Sequence, residues 1–305
     1  MKDAPEIAII GGGAAGLSAA LYAARAGKRT LLLEKSAPGG QILPAPLVEN
    51  YPGAERISGV ALISVMQSQA TQSGAEIRTA EVVSLERGEP GLVLRTEEGE
   101  RIGANAVIVA TGASPRRLEL PGEEKLAGHG VSYCAYCDGN FYRGKTVAVV
   151  GGGNSALEWA RYLSDICGFV FLIHRREAFR GNPQVLEYLR TCSRVKLLYN
   201  RRVTALVGKE RLTAVALEST DGSGQTERLA VDGVFPALGQ VPDTGILKGL
   251  APLDDRGYVI AGEGGELGGG LFAAGDCRAK AVRQLVTAAS DGVCTAIGAV
   301  AFLNR

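Results

Sequence analysis

Two stretches of this chain follow one plan, and that repetition limits the folds open to it more than any other feature of its 305 residues. The first runs Ile7-Ala-Ile-Ile10, then Gly11-Gly-Gly-Ala-Ala-Gly16, a small-residue helix over Leu17 to Ala26, and a second apolar strand, Thr30-Leu-Leu-Leu33, closed by Glu34. The second runs Val147-Ala-Val-Val150, Gly151-Gly-Gly-Asn-Ser-Ala156, a helix to about Ser164, and Phe169-Val-Phe-Leu-Ile173. Each reads as a βαβ unit with a G-x-G-x-x-G/A turn, the dinucleotide-binding pattern. Gly11 and Gly151 permit the tight turn off the strand. Gly13 and Gly153 let the backbone approach a pyrophosphate at a helix N-terminus, and Gly16 and Ala156 are small so that helix and strand pack closely. A single glycine turn after a strand also arises for structural reasons alone. Two of them, each followed by a strand at the right distance, point to two nucleotide sites.

The copies differ where it matters. Glu34 ends the second strand of the first copy, where a carboxylate accepts hydrogen bonds from a ribose. The equivalent place in the second copy is His174, followed by Arg175, Arg176 and, a little further, Arg180. A carboxylate there would repel a 2′-phosphate, whereas arginines offer it charge-assisted, often bidentate contacts. The first copy is therefore expected to take FAD and the second NADPH in preference to NADH. The plainer reading of the arginines is a solvated basic helix start.

A chain this long is expected to form two domains. Pro and Gly cluster near Gly112–Gly122 and Gln240–Gly249, which places the boundaries there. Glu76 to Leu85, Leu92 to Thr96 and Arg101 to Ala110 read as a β-meander closed by Ala110-Thr-Gly112. A matching run, Val203 to Val207, Thr213 to Ser219 and Leu229 to Phe235, ends at Ala237-Leu-Gly239. Leu271-Phe-Ala-Ala-Gly-Asp276 and a helix from about Val282 would return to the first domain. The expected fold class is α/β, two Rossmann-like dinucleotide-binding domains with the second inserted into the first: residues 1–114 and 244–305 for FAD, 115–243 for NADPH.

A net charge of +1 offers no field that would draw nucleic acid or an anionic membrane. Ile7 to Ala24 carries no charge, but its glycines suit a strand, turn and helix better than a membrane span. A cytoplasmic protein is the expectation. Of six cysteines, only Cys134 and Cys137 form a close pair. The chain is too long and too poor in cysteine for a small secreted disulfide scaffold; a structural zinc site usually needs four Cys or His ligands, there is no second CxxC, and His129 joining the pair would give three ligands with no fourth. Cys167, Cys192, Cys277 and Cys294 are most simply packing residues.

Cys134-Ala-Tyr-Cys137-Asp138 stands just before the second glycine turn. A two-residue spacer brings both sulfurs to disulfide distance at a turn or helix start, where the dipole lowers a thiol pKa from about 8.5 toward 7. A flavin carries two electrons and can reduce a disulfide, one sulfur nearest the ring and the other free for exchange. Asp138 is placed for acid–base work if desolvation raises its pKa. A buried or metal-holding cysteine pair with a turn aspartate is the alternative.

With these motifs in order, the chain resembles the low-molecular-weight, bacterial-type thioredoxin reductases over nearly its full length. The match rests on Gly11–Gly16, Gly39-Gly40-Gln41, Glu49-Asn-Tyr-Pro-Gly53, Ala110-Thr111-Gly112, Cys134–Asp138, Gly151–Ala156, the His174 to Arg180 run, Gly275-Asp276 and Arg283-Gln284-x-x-Thr-Ala288. The resemblance implies that Gly11, Gly13, Ala14, Ala15, Gly16, Glu34, Lys35, Gly39, Gly40, Gln41, Asn50, Val83, Ala110, Thr111, Gly112, Gly275, Asp276, Arg283, Gln284 and Leu285 hold FAD. It implies that Gly151, Gly153, Asn154, Ser155, Ala156, His174, Arg175, Arg176, Arg180 and Gly239 hold NADPH. By the same resemblance Cys134 attacks the disulfide of thioredoxin, Cys137 faces the flavin, Asp138 handles protons, the chain is a homodimer, and the NADPH domain swings on its two linkers. Tyr136, Asn154, Trp159 and Gln240 depart from the family's usual residues and bear on partner choice and nicotinamide docking. Rival readings are a relative fed by ferredoxin or passing electrons to oxygen, which would lack the second glycine turn and the arginines; a non-catalytic redox sensor; and a ferredoxin–NADP reductase, which would lack the CxxC.

Overall fold

Strands buried on both faces are continuous apolar runs, because neither face of such a sheet meets water. Ile7–Ile10, Ala106–Val109 and Gly233–Pro236 are of this kind, every residue buried. The computed structural model describes residues 4–305 apart from Pro44, Pro46 and Pro90. It divides into two units, one built from the chain up to Ser114 together with Val241–Arg305, the other from Pro115–Gln240.

The first unit opens with β1 (Ile7–Ile10), α1 (Ala14–Arg25), β2 (Thr30–Glu34), α2 (Gly59–Gln72) and β3 (Glu76–Thr79). It continues through β4 (Val82–Arg87), β5 (Leu92–Thr96), β6 (Arg101–Ala104), β7 (Ala106–Val109) and a short β8 (Ala113–Pro115) at the crossover. The second unit holds α3 (Glu123–Leu126), α4 (Ala135–Asp138), β9 (Thr146–Val150), α5 (Asn154–Ile166), β10 (Phe169–Ile173), α6 (Pro183–Thr191) and β11 (Val195–Leu198). After these come β12 (Arg201–Val207), β13 (Ala214–Ser219), β14 (Thr226–Ala230), β15 (Gly233–Pro236) and, at the return crossover, β16 (Gln240–Pro242). Then β17 (Glu266–Gly268), β18 (Leu271–Ala273) and α7 (Leu285–Leu303) complete the first unit.

Each unit is a parallel sheet with a small antiparallel sheet attached. In the first the order is β18-β7-β1-β2-β3, all parallel, with β17 antiparallel on the edge. In the second it is β11-β10-β9-β15, all parallel. The antiparallel sheets are β4-β5-β6 and β12-β13-β14. The meanders are therefore shorter than the sequence suggests. Glu76–Thr79 pairs with β2, Ala106–Val109 lies inside the first parallel sheet between β18 and β1, and Gly233–Pro236 joins the second at its edge beside β9. Within the expected runs, Asn105 separates the part-exposed β6 from the wholly buried β7.

The last helix, α7, is by length and composition apolar enough to cross a bilayer, with a mean hydropathy of 1.6. In the structure it lies against α1 and the parallel sheet, with Gly292, Ala296 and Ala299 buried. A side chain at Gly292 would overlap the Ala15 carbonyl, so the two helices meet backbone to backbone.

Candidate active site

The redox pair sits on one turn of helix. Cys134 and Cys137 are disulfide-bonded, with their Cα atoms 5.3 Å apart. Cys134 is the extended residue that caps α4, and the Cys137 backbone N–H donates to its Sγ at 3.2 Å. A thiolate at Cys134 thus has a backbone donor already aimed at it, which favours the charged sulfur. The Asp138 N–H closes the turn on the Cys134 carbonyl at 3.1 Å. Cys134 is half-buried and Cys137 exposed.

Asp138 lies behind the pair. Burial raises its carboxyl above the usual carboxylate range, and a hydrogen bond from Ser132 works against that rise. The Ser132 hydroxyl donates to Asp138 Oδ2 at 2.6 Å and accepts the Cys134 N–H at 3.2 Å. One residue further, the Tyr133 hydroxyl donates to Glu123 Oε1 at 2.8 Å. Glu123 is only 3% exposed and also accepts the Leu118 and Leu120 N–H groups, which keeps a buried carboxylate satisfied. Tyr133 is held protonated, first by burial and then by the Glu123 carboxylate. Tyr136, between the two cysteines, packs on Tyr162 of α5 with ring centroids 4.8 Å apart. Ser132, Glu123 and Tyr162 went unforeseen, since no spacing rule ties them to the CxxC.

The glycine turns have the geometry of phosphate cradles. Gly11 has φ +104°, and a Cβ there would sit 2.5 Å from the Ala110 carbonyl oxygen. A Cβ on Gly16 would overlap the Gly11 carbonyl oxygen. Gly151 has no positive φ; it is required instead by close packing on Ala237 and Ala156. At Gly13 and Gly153 a Cβ would touch no protein atom within 4 Å, so nothing in the fold itself asks for glycine there. Helices α2, α6 and α7 are capped by the side chains of Ser58, Asn182 and Gln284, whereas α1 and α5 have glycine caps and no side-chain partner. Their first N–H groups are left for an anion. These residues fit the diphosphate groups of two dinucleotides.

Scanned against known proteins, residues 5–292 match the model of the pyridine nucleotide-disulphide oxidoreductases. The chain belongs to that family. Among its relatives are a thioredoxin reductase of Treponema pallidum, 40% identical over 100% of this chain and 99% of its own, and a bifunctional thioredoxin reductase/thioredoxin of Mycobacterium leprae, 41% identical over 98% of this chain. This chain spans 66% of the length of the latter. Among solved structures, a thioredoxin reductase from Streptococcus pyogenes superposes with a TM-score of 0.92 at 36% identity, covering 98% of each chain.

In this pyridine nucleotide-disulphide oxidoreductase the first unit gathers most of the residues expected at FAD. Glu34 Oε2 accepts the Gly12 N–H at 2.6 Å, and Oε1 accepts the Ser36 N–H at 3.1 Å, so the carboxylate is aimed before any ribose meets it. Ala14 and Ala15 open α1, and Gly39 and Gly40 lead into a 3-10 turn whose Gln41 amide donates to the Ala113 carbonyl. Lys35 pairs with Asp243 at 3.5 Å, and the Thr111 hydroxyl donates to the Asp243 carbonyl between Ala110 and Gly112. Gly275 donates to Asp291 Oδ2 at 3.1 Å. Asp276 pairs with Lys280 at 3.3 Å; burial raises its carboxyl and Lys280 pulls it back. Arg283 lies 4.0 Å over the Tyr258 ring and donates to the Asp276 and Arg278 carbonyls, and Gln284 caps α7 ahead of Leu285. Asn50 is exposed in a loop, and Val83 is an exposed residue of β4.

The second unit alters the picture of the arginines. Arg175, Arg176 and Arg180 are exposed, but no helix carries them; α6 begins only at Pro183. Among the described residues none has a carboxylate partner. Their loop is laced to the glycine turn, the Arg180 N–H donating to the Gly152 carbonyl at 2.7 Å and the Asn182 N–H to Asn154 Oδ1 at 2.8 Å. Asn154, in place of an acid, is thus a tether at the head of α5, next to the exposed Ser155 and the buried Ala156. His174 is a buried wedge: it is stacked on Phe179, and its ring lies so close to Gly152 that a Cβ there would overlap it. Burial and then Arg180 depress its pKa. Gly239 takes φ +97° at the crossover.

Proposed function

We propose that this protein is a thioredoxin-disulfide reductase, with FAD held by the first unit and NADPH by the second. The observation that carries the reading is the single unit in which a disulfide at a helix start, a half-buried carboxylate hydrogen-bonded beside it and an uncapped glycine turn flanked by arginines with no carboxylate partner among the described residues occur together. When bound, FAD supplies a two-electron path from NADPH to the Cys134–Cys137 disulfide. The residues do the rest. Arg175, Arg176 and Arg180 bind the 2′-phosphate, and the head of α5 binds the pyrophosphate. The Cys137 N–H steadies a thiolate at Cys134, which attacks the thioredoxin disulfide. Asp138 holds and returns the proton that the departing sulfur needs. In the first unit, Glu34 orients the adenosine ribose and Asp276, Arg283 and Gln284 line the remainder of the FAD site.

The protein works in the cytoplasm as a homodimer in this reading. The first unit exposes Val60 and Val65 on α2 and Val286 and Ile297 on α7, apolar surface that a second copy would cover. Sedimentation velocity of the FAD-loaded protein tests that assembly, and a monomer at micromolar concentration would refute it.

Initial rates of NADPH oxidation with purified thioredoxin test the chemistry. Cys134→Ser and Cys137→Ser should each abolish thioredoxin reduction while NADPH still bleaches the flavin. Retained thioredoxin reduction in both variants would overturn the assignment.

A further inference from the structure

A group that gives up and regains a proton in each cycle needs a hydrogen-bond partner suited to both of its charge states. The partner of Asp138 is a hydroxyl, and its surroundings give that hydroxyl two settings. Ser132 Oγ lies 2.6 Å from Asp138 Oδ2, 3.4 Å from the Cys134 carbonyl oxygen and 3.2 Å from the Cys134 N. Ser132 is 3% exposed, so water cannot readily replace it. A serine hydroxyl has one hydrogen to give and two lone pairs to accept with. The Cys134 N–H occupies one lone pair in either setting.

The geometry assigns to Ser132 the role of a rotating positioning residue that keeps Asp138 hydrogen-bonded in both of its protonation states and ties each state to the backbone of Cys134. With Asp138 ionised, Ser132 donates to Oδ2. With Asp138 protonated, the carboxyl donates to Ser132 Oγ, and the serine hydrogen turns to the Cys134 carbonyl. No atom heavier than hydrogen has to move. Opening the disulfide takes two electrons, which NADPH would supply through bound FAD, and leaves one sulfur as a thiolate and one that needs a proton. One proton passes from Asp138 to a sulfur, leaving the carboxylate that Ser132 then holds, and solvent restores it.

This inference rests on the acid–base reading of Asp138 given above. The setting around the pair is otherwise quiet. Tyr142, on the turn after Asp138, is the phenol that feels its charge, and burial pushes that phenol up to about 12, so it stays neutral in the working range. Arg211 and Asp232 act on Tyr142, while from α5 Glu158 and Tyr162 face Tyr136. Among the described residues, the direct hydrogen-bond partner of the Asp138 side chain is Ser132.

The test compares Ser132→Ala, Ser132→Thr, Asp138→Asn and the Ser132→Ala/Asp138→Asn pair in the FAD-loaded protein. The reading is the pH dependence of thioredoxin reduction together with a direct titration of the Asp138 carboxyl by infrared difference against Asp138→Asn. Asp138→Asn should remove one descending limb of the pH profile. Ser132→Ala strips the donor that favours the carboxylate, so both that limb and the carboxyl titration should move up by about one pH unit. Ser132→Thr should restore both, and in the Asp138→Asn background Ser132→Ala should change the profile no further. A merely structural serine would lower the rate at every pH and leave the limb in place. If the limb survives Asp138→Asn, the acid–base reading of Asp138 falls. If Asp138→Asn removes it but Ser132→Ala leaves limb and titration unmoved or shifts them down, the role of Ser132 falls and that of Asp138 stands.

Discussion

Neutralising Arg175 and Arg176 together should convert a strong NADPH preference into near indifference between the two coenzymes. Both guanidiniums are exposed and have no carboxylate partner among the described residues, so their charge is available to a ligand. Because they are exposed, each contact to a 2′-phosphate is placed at the low end for charge-assisted hydrogen bonds, about 1.5 kcal/mol. That is roughly tenfold in affinity per arginine, and roughly a hundredfold for Arg175→Gln/Arg176→Gln if the two effects add. The loop should survive the change, since its anchors are the backbone N–H of Arg180 and that of Asn182 rather than these side chains. The assay pairs initial rates with NADPH and NADH against one thioredoxin with equilibrium binding of NADP+ and NAD+. NADP+ binding should weaken by that factor and lose most of its salt dependence, while NAD+ binding stays where it was. Equal losses for both coenzymes, or an intact preference, would refute the reasoning.

Three further outcomes follow from the packing. Asp138 has a pKa raised by burial, so its contribution to stability is fully present in acid and is lost as pH rises through the raised value. Asp138→Asn should therefore melt higher than the parent at pH 8, with the gap closing as the pH falls; an unchanged gap would count against a buried, raised carboxyl. Gly152→Ala forces a methyl into the His174 ring, a clash costing about 1–3 kcal/mol, and should lower the melting temperature while weakening NADP+ binding; normal stability would show that the wedge can give way. Tyr133→Phe leaves buried Glu123 one donor short, a loss of about 1–3 kcal/mol readable in urea unfolding, and no change in midpoint would refute a stabilising role for that hydrogen bond.

The parts of the fold legible in the sequence were those written in local pattern. The two glycine turns sit between strand and helix as their spacing requires, and Cys134 and Cys137 are bonded at a helix start. The sheet to which each strand at the ends of the meanders belongs was not legible, because a strand next to a turn does not state which sheet it will join. Ala106–Val109 is continuous in sequence with the β4–β6 hairpins, but all four of its residues are buried, and it pairs in parallel with β1 and β18 instead of extending the hairpins. For the arginines at Arg175–Arg180 a basic helix start stayed open as the plainer alternative, because charge spacing alone cannot exclude one. The Arg180 N–H instead bonds the Gly152 carbonyl, a long-range contact that holds the segment as a loop. Ser132 and Glu123 became visible only when folding brought them against Asp138 and Tyr133.

The stitching of that loop to the glycine turn has a consequence of its own. On the proposed reading, coenzyme recognition and coenzyme alignment would share one piece of backbone, because the strap carrying the arginines is sewn to the glycine turn proposed to seat the diphosphate. On that reading, a coenzyme lacking the 2′-phosphate would forfeit more than a few contacts at one end: it would leave the strap slack, and the slack would pass to the turn beneath the diphosphate.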